Sequence, residues 1–333
     1  MASARPDVYL TVDLGGSRTR AAVVTPDGTI LGKRARPTPR RGGPPAVVRA
    51  IVQAARDALA TTDVRLADVR AIGIGAPGPL NLAAGTVYFI PNLPGWKEVP
   101  LREMVESEMG RPTVMGNDAD AAALGEHTFG AGRGTSDMIY ITVSTGIGGG
   151  LILRNKLYAG KTATSELGHM TIEDDGPICG CGNAGCWEAL ASGTALAREA
   201  RDRLRAGSNS IMLDLTGGSL TKVDAKVVHR AALKGDALAK ELIATAGHYL
   251  GIGLANLTNI FNPEMIVLGG GLTNMGDLLL EPARTSLRSR AMEPHLRGLR
   301  LELAELGDDA GLIGAMIFAR EAAGKGRRKS GKP

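Results

Sequence analysis

Three cysteines, Cys179, Cys181 and Cys186, fall within eight residues, and His169 stands ten residues before the first. Three thiolates and one imidazole fill a tetrahedral zinc site and leave no open position for a catalytic water, so the spacing predicts a structural metal. Iron–sulfur ligation fits less well, because the fourth ligand on offer is a histidine. An odd number of cysteines is also unsuited to a disulfide framework. Glu166 and Glu188 flank the four ligands. Carboxylates accept hydrogen bonds from paired sugar hydroxyls, and a metal that orders these loops would pin both; solvent or a salt bridge would satisfy them equally well.

Asn117-Asp118 lies between a strand pattern and a helix start. A carboxylate there can take the proton of a hydroxyl that attacks a γ-phosphate. The same two residues serve as a helix N-cap, and on residue type the two roles are equal. Asp120 competes for either role, although the helix dipole accounts for an acidic first turn. Three strand ends are rich in glycine: Asp13-Leu14-Gly15-Gly16-Ser17, Ser144-Thr145-Gly146-Ile147-Gly148-Gly149-Gly150 and Gly269-Gly270-Gly271. Glycine lets backbone amides approach phosphate closely. Asp13 can orient water or Mg²⁺ on the phosphates, Thr145 adds a hydroxyl donor, and the third run offers bare backbone to a flat adenine. No Gly-Lys-Ser/Thr follows, and strand rather than helix follows the second run, which excludes a Walker loop and a dinucleotide fingerprint. Together the three runs predict a nucleotide site.

These residues need elements to hold them. Val8–Val12, Arg20–Val24 and Thr29–Leu31 read as an antiparallel meander with Gly/Asp turns. The layout returns at Ile139–Val143, Leu151–Leu153 and Leu157-Tyr158, and Tyr9–Val12 aligns over Tyr140–Val143, which puts Asp13 over Ser144. The period is too long for a solenoid and predicts two copies of one α/β lobe. Helices are expected over Pro45–Thr61, Ala119–Thr128, Leu238–Phe261 (stopped by Asn262-Pro263) and Gly307–Glu321, and strands over Val69–Ile74, Thr113–Met115 and Glu264–Leu268.

The 333 residues suit two lobes, and 44% hydrophobic with 22% charged residues is a globular balance. At 3% aromatic residues the chain lacks rings for base-stacking surfaces, so no nucleic-acid partner is expected. Lys325, Arg327, Arg328, Lys329 and Lys332 carry the whole net charge of +5; the other basic residues equal the 34 acidic ones. Such a run reads as a solvated, disordered end. Gly32–Arg41 reads as a basic, Pro-rich exposed connection. Charged residues interrupt Met1–Asp13, and no eighteen-residue apolar run exists, so neither signal peptide nor membrane helix is expected and the cytoplasm is the expected compartment. His127, His229, His248 and His295 read as surface or helix residues.

Ser165-Glu166-Leu167-Gly168-His169, followed by Cys179-Gly180-Cys181-Gly182-Asn183-Ala184-Gly185-Cys186-Trp187-Glu188, resembles the signature of the ROK family (repressors, open reading frames and kinases). Asp13-Leu14-Gly15-Gly16 and Asn117-Asp118-Ala119 resemble that family's phosphate and catalytic motifs, and the resemblance runs from Val8 to about Glu321. It implies an α/β, two-lobed, actin-like ATPase (ribonuclease H-like) fold with ATP and sugar in the cleft between lobes. The lobes would be residues 1–117 plus 308–323 and residues 118–307, with a basic disordered tail at 324–333. Asp118 would be the general base on the sugar 6-hydroxyl. Asn117, Asp118, Glu166, His169 and Glu188 would hold the sugar, joined by Asn92, and His169 would bind zinc through its other nitrogen. Asp13, Gly15, Gly16, Ser17, Thr145, Gly146, Gly269 and Gly270 would handle nucleotide and Mg²⁺. Ser17, where the family usually has Thr, keeps the hydroxyl.

The implied activity is ATP-dependent phosphorylation of a hexose, glucose foremost, with structural Zn²⁺ and a homodimer or homotetramer expected. Other hexoses and N-acetylhexosamines present similar hydroxyls. Polyphosphate could suit the basic segments as donor, although polyphosphate-using relatives typically lack the full cysteine motif. A sugar-sensing repressor would need a helix-turn-helix domain ahead of the first phosphate motif. Twelve residues precede Asp13, and the kinase is the expectation.

Overall fold

The computed structural model describes residues 7–90, 93–160 and 165–330. The chain opens with β1 (Val8–Leu14), β2 (Arg18–Val24) and β3 (Ile30–Pro37), then α1 (Gly43–Leu59) and β4 (Val69–Ala76). A small sheet of β5 (Leu80–Asn81), β6 (Thr86–Phe89) and β7 (Lys97–Val99) precedes α2 (Leu101–Met109), β8 (Thr113–Asn117) and α3 (Asp118–Phe129). The second half begins with β9 (Met138–Val143), β10 (Ile147–Leu153) and β11 (Lys156–Tyr158). Helices α4 (Trp187–Ala191), α5 (Gly193–Arg205), α6 (Ala225–Leu233) and α7 (Ala237–Phe261) follow. After them come β12 (Met265–Gly269), α8 (Asp277–Arg290), α9 (Glu293–Leu296), β13 (Arg300–Leu303) and α10 (Ala310–Ser330).

The two five-stranded sheets have the orders β3-β2-β1-β4-β8 and β11-β10-β9-β12-β13, the duplication expected from the sequence. In each, a central strand joins its hairpin partner to parallel neighbours: β1 runs antiparallel to β2 and parallel to β4, and β9 runs parallel to β12. Strands buried on both faces are mostly apolar, as Val8–Leu14 and Met138–Val143 are apart from Thr11, Asp13 and Thr142. Helix α1 lays Val47, Val48, Ile51, Val52, Ala55 and Leu59 into the first core. Its prolines sit in the first turn, where the missing N–H costs nothing. Helix α7 begins on the Asp236 cap, which accepts from Ala239 N–H at 2.8 Å. It ends at Asn262 in a left-handed conformation (φ 45°), ahead of Pro263, as the stop signal predicted.

By contact density the chain divides into two compact units. One holds residues up to Ser136, Gly150–Ser165 and Glu305 onward; the other holds Asp137–Gly149 and Glu166–Ala304. Helix α3, which the sequence reading placed at the start of the second lobe, belongs to the first unit because it packs along α10. Here backbone meets backbone: a Cβ on Gly314 would stand 1.6 Å from the Ala121 carbonyl oxygen.

Two segments differ from expectation. Residues 32–37 are not a connection but most of β3, an edge strand paired to β2, with Lys33 and Arg36 on Asp309 and Asp57. Basic side chains and a terminal proline suit a sheet edge, where they discourage further pairing; only residues 38–41 connect. The basic C-terminal run, expected to be disordered from residue 324, is helical through Ser330 as the last turns of α10. A helix already nucleated by packing extends at little cost through straight-chain Lys and Arg. Among the described residues no helix is long and apolar enough to cross a membrane.

Gly314→Ala should destabilise the protein by about 1–3 kcal/mol or more through overpacking. Gly324→Ala, in the same helix but with open space at its Cβ, should be neutral or stabilise by up to about 1 kcal/mol. Denaturant unfolding of both variants checks the contrast.

Candidate active site

The thiol group is built in the second unit. A short 3-10 turn, Leu167–His169, presents the imidazole. Bridges Thr171↔Cys186 and Ile178↔Ala184 fold the cysteine loop back on itself, and Cys179 N–H donates to the Asn183 carbonyl at 2.8 Å. His169 Nδ1 then lies 3.5 Å from Cys179 Sγ, and Cys181 Sγ lies 3.6 Å from Cys186 Sγ. The four donor atoms all lie within 4.8 Å of one another, a group that could hold a metal ion. The other ring nitrogen, Nε2, is 3.9 Å from Glu166 Oε2. Burial pushes the Cys186 thiol up to about 12 and raises Cys179, whereas the Asn183 amide draws Cys181 down. Metal ligation by this set requires all three thiols to be deprotonated.

Between Cys186 and Glu188 stands Trp187, with no exposed surface. Its Nε1 donates to the Tyr249 carbonyl on α7 at 3.0 Å. Glu188 turns the other way, and its Oε2 accepts from Ile147 N–H at 2.9 Å. The Gly-rich loop after β9 is therefore tied to the segment that carries the cysteines. The start of α5 holds the same loop, since Gly193 N–H donates to the Ser144 carbonyl at 2.7 Å and Thr194 N–H to that of Thr145 at 3.1 Å. Strands β9 and β12 pair in parallel up to Thr142↔Gly269, so their C-terminal loops emerge side by side. A Cβ on Gly270 (φ 89°) would meet the Val143 carbonyl oxygen at 2.4 Å. Thr145, Gly146, Gly269 and Gly270 are thus gathered at one sheet edge, where ligands of open α/β sheets bind.

The first unit repeats the device. Asp13 is the penultimate residue of β1 and Asn117 ends β8, on either side of β4. The register pairs Asp13 with Gly75 and Ala76 with Asn117, and a Cβ on Gly75 would stand 3.4 Å from Asp118 Cα. Asn117 is the helix cap, its Oδ1 accepting from Ala119 and Asp120 N–H at 2.9 and 3.1 Å. Asp118, first residue of α3, accepts from Ala119 N–H at 2.8 Å through Oδ1. Burial raises the Asp13 carboxyl and Arg20 opposes the rise. Arg20 reaches Asp13 at 3.1 Å and Asp308 at 3.2 Å. The turn Gly15-Gly16-Ser17 is clasped by Thr38, whose Oγ1 donates to the Gly15 carbonyl at 2.7 Å and whose N–H donates to that of Ser17 at 3.1 Å. Arg20, Thr38 and Asp308 were missed by sequence reasoning. For Arg20 a signal existed, since the hairpin register that pairs it with Asp13 follows from the two-strand pattern. Asn92 lies outside the described residues.

Several known proteins are similar to this chain over most of its length. The glucokinase of Streptomyces coelicolor is 40% identical over 314 residues, covering 93% of this chain and 96% of that protein. The glucokinase of Thermotoga maritima is 37% identical, with 94% and 97% covered. The crystal structure of a ROK family glucokinase from Streptomyces griseus in complex with glucose and AMPPNP superposes with a TM-score of 0.83 at 39% identity, covering 94% of this chain and 99% of that one. The actin-like α/β fold expected from the sequence is the fold of these relatives. The model of the ROK family matches residues 9–322, and the chain belongs to the ROK family.

Proposed function

We propose that this protein is an ATP-dependent glucokinase, transferring the γ-phosphoryl group to the 6-hydroxyl of glucose. The observation that carries the reading is the placing of Asp13 and Asp118 on either side of Gly75, at the C-terminal edge of three parallel strands. A phosphate-facing carboxylate beside a proton acceptor is what a hydroxyl attacking a γ-phosphate requires. Asp118 takes the hydroxyl proton as the new oxygen–phosphorus bond forms; the bond to the β-phosphate oxygen breaks, and ADP leaves with the electron pair. Asn117 orients Asp118 by capping its helix. Asn92, Glu166, His169 and Glu188 accept and donate hydrogen bonds to the sugar hydroxyls, which fixes the reacting oxygen.

On the nucleotide side, Gly15, Gly16, Ser17, Thr145 and Gly146 cradle the phosphates, and Gly269-Gly270 flanks the adenine. Asp13 would hold Mg²⁺ carried in with ATP, which would supply neutralisation of phosphate charge. His169, Cys179, Cys181 and Cys186 would hold Zn²⁺. Zinc–sulfur bonds of about 2.3 Å give sulfur–sulfur edges of about 3.8 Å, close to the 3.6 Å between Cys181 and Cys186 here. Four protein ligands leave the ion a structural task, holding Glu166, His169 and Glu188 in place. We further propose a homodimer or homotetramer working in the cytoplasm, where thiols stay reduced.

Asp118→Asn should lower kcat by about 10²- to 10⁴-fold while glucose affinity by calorimetry changes far less; near-native turnover in a coupled assay would sink the base assignment. Cys181→Ser should lose its metal by elemental analysis and raise the glucose KM, and an absence of zinc from the purified native protein would overturn the zinc proposal. Across a panel of hexoses and N-acetylhexosamines, with ATP or polyphosphate as donor, glucose with ATP should give the highest kcat/KM; another preferred pair would displace the glucokinase reading.

A further inference from the structure

The carboxylate of Glu188 faces two ways. Its Oε2 accepts the Ile147 N–H at 2.9 Å, inside the second phosphate loop. Its Oε1 lies 4.0 Å from Cys179 Sγ, on the side of the metal group. The fit has no slack. A Cβ on Gly146 would stand 2.2 Å from Glu188 Oε2, and a Cβ on Gly168 would stand 2.1 Å from the Ile147 carbonyl oxygen. The phosphate loop is thus gripped by a residue two places after Cys186 and by one immediately before His169. Trp187, buried against α7, keeps Glu188 from following a displaced loop.

We propose that Glu188 couples hexose binding to nucleotide binding: one carboxylate oxygen anchors the second phosphate loop while the other receives a sugar hydroxyl. The inference rests on the sugar-binding role of Glu188 proposed above. A sugar hydroxyl that orients the carboxylate orients the amide it holds, and a phosphate that settles the loop settles the carboxylate. Such linkage is reciprocal by thermodynamic necessity and typically amounts to about 5- to 150-fold in affinity.

The test is calorimetry on the metal-loaded protein at equal metal content, titrating glucose and AMPPNP each with and without the other. Glu188→Ala should weaken AMPPNP binding about fivefold or more even in the absence of sugar. Glu188→Gln keeps an oxygen for the Ile147 N–H and should restore AMPPNP affinity to within about twofold of native while glucose stays weakened. Gly146→Ala, a change on the phosphate loop, should weaken glucose about fivefold with no nucleotide present. Native AMPPNP affinity in Glu188→Ala, or native glucose affinity in Gly146→Ala, would overturn the coupling and leave the sugar role standing. Native glucose affinity in Glu188→Ala would instead remove the sugar role itself. If Gly146→Ala fails to fold, the Glu188 pair decides the matter alone.

Discussion

The burial of Trp187 is the constraint on which the second unit's site depends. A fully buried indole removes roughly 150–250 Å² from water, and at about 25 cal/mol per Å² that is worth some 4–6 kcal/mol. The hydrogen bond from Ile147 to Glu188 contributes about 1.5–3 kcal/mol as a bond to a charged group. The ring therefore sets the position, and the carboxylate adapts to it. Because Cys186 and Glu188 adjoin the indole on either side, one anchor on α7 places a thiol of the cysteine cluster and the carboxylate that holds the glycine-rich loop together. The cysteine cluster and the glycine-rich loop form one piece of architecture.

In the first unit, electrostatics sets the constraint. Asp13 is largely but not wholly withdrawn from water, and an isolated carboxylate in such a place would tend to take up a proton. Arg20 from the next strand opposes this and is itself shared with Asp308 in the turn before α10. The strand order supplies the rest, since β1, β4 and β8 are parallel neighbours and end at one edge. Residues more than a hundred positions apart arrive there through strand order and register. Close approach of α3 to α10 through Gly314 then fixes the helix that carries Asp118.

Much of this was legible in the residues. The hairpins, the duplication, the ends of α7 and the start of α3 followed from apolar runs and stop signals, because each is decided by neighbours in sequence. Helix α8 escaped detection because Pro282 lies within it, and a proline reads as a break. The basic stretch before α1 reads as a connection because its charge and prolines mimic a loop. Whether those residues pair with β2 is decided by an edge strand's access to a partner, which composition does not record.

Residue type and spacing alone determined the donor set, since three thiols and an imidazole in a tight loop have few uses beyond metal ligation. They also determined the three glycine-rich strand ends, because only glycine lets backbone come so close. The tertiary structure decided which groups share a neighbour. It assigned Asn117 to the cap, resolving half of the choice between cap and base, and it placed Arg20 against Asp13 and Glu188 against the Ile147 amide. Those pairings depend on sheet register and on a buried tryptophan packing against a distant helix, and such long-range contacts are absent from local sequence.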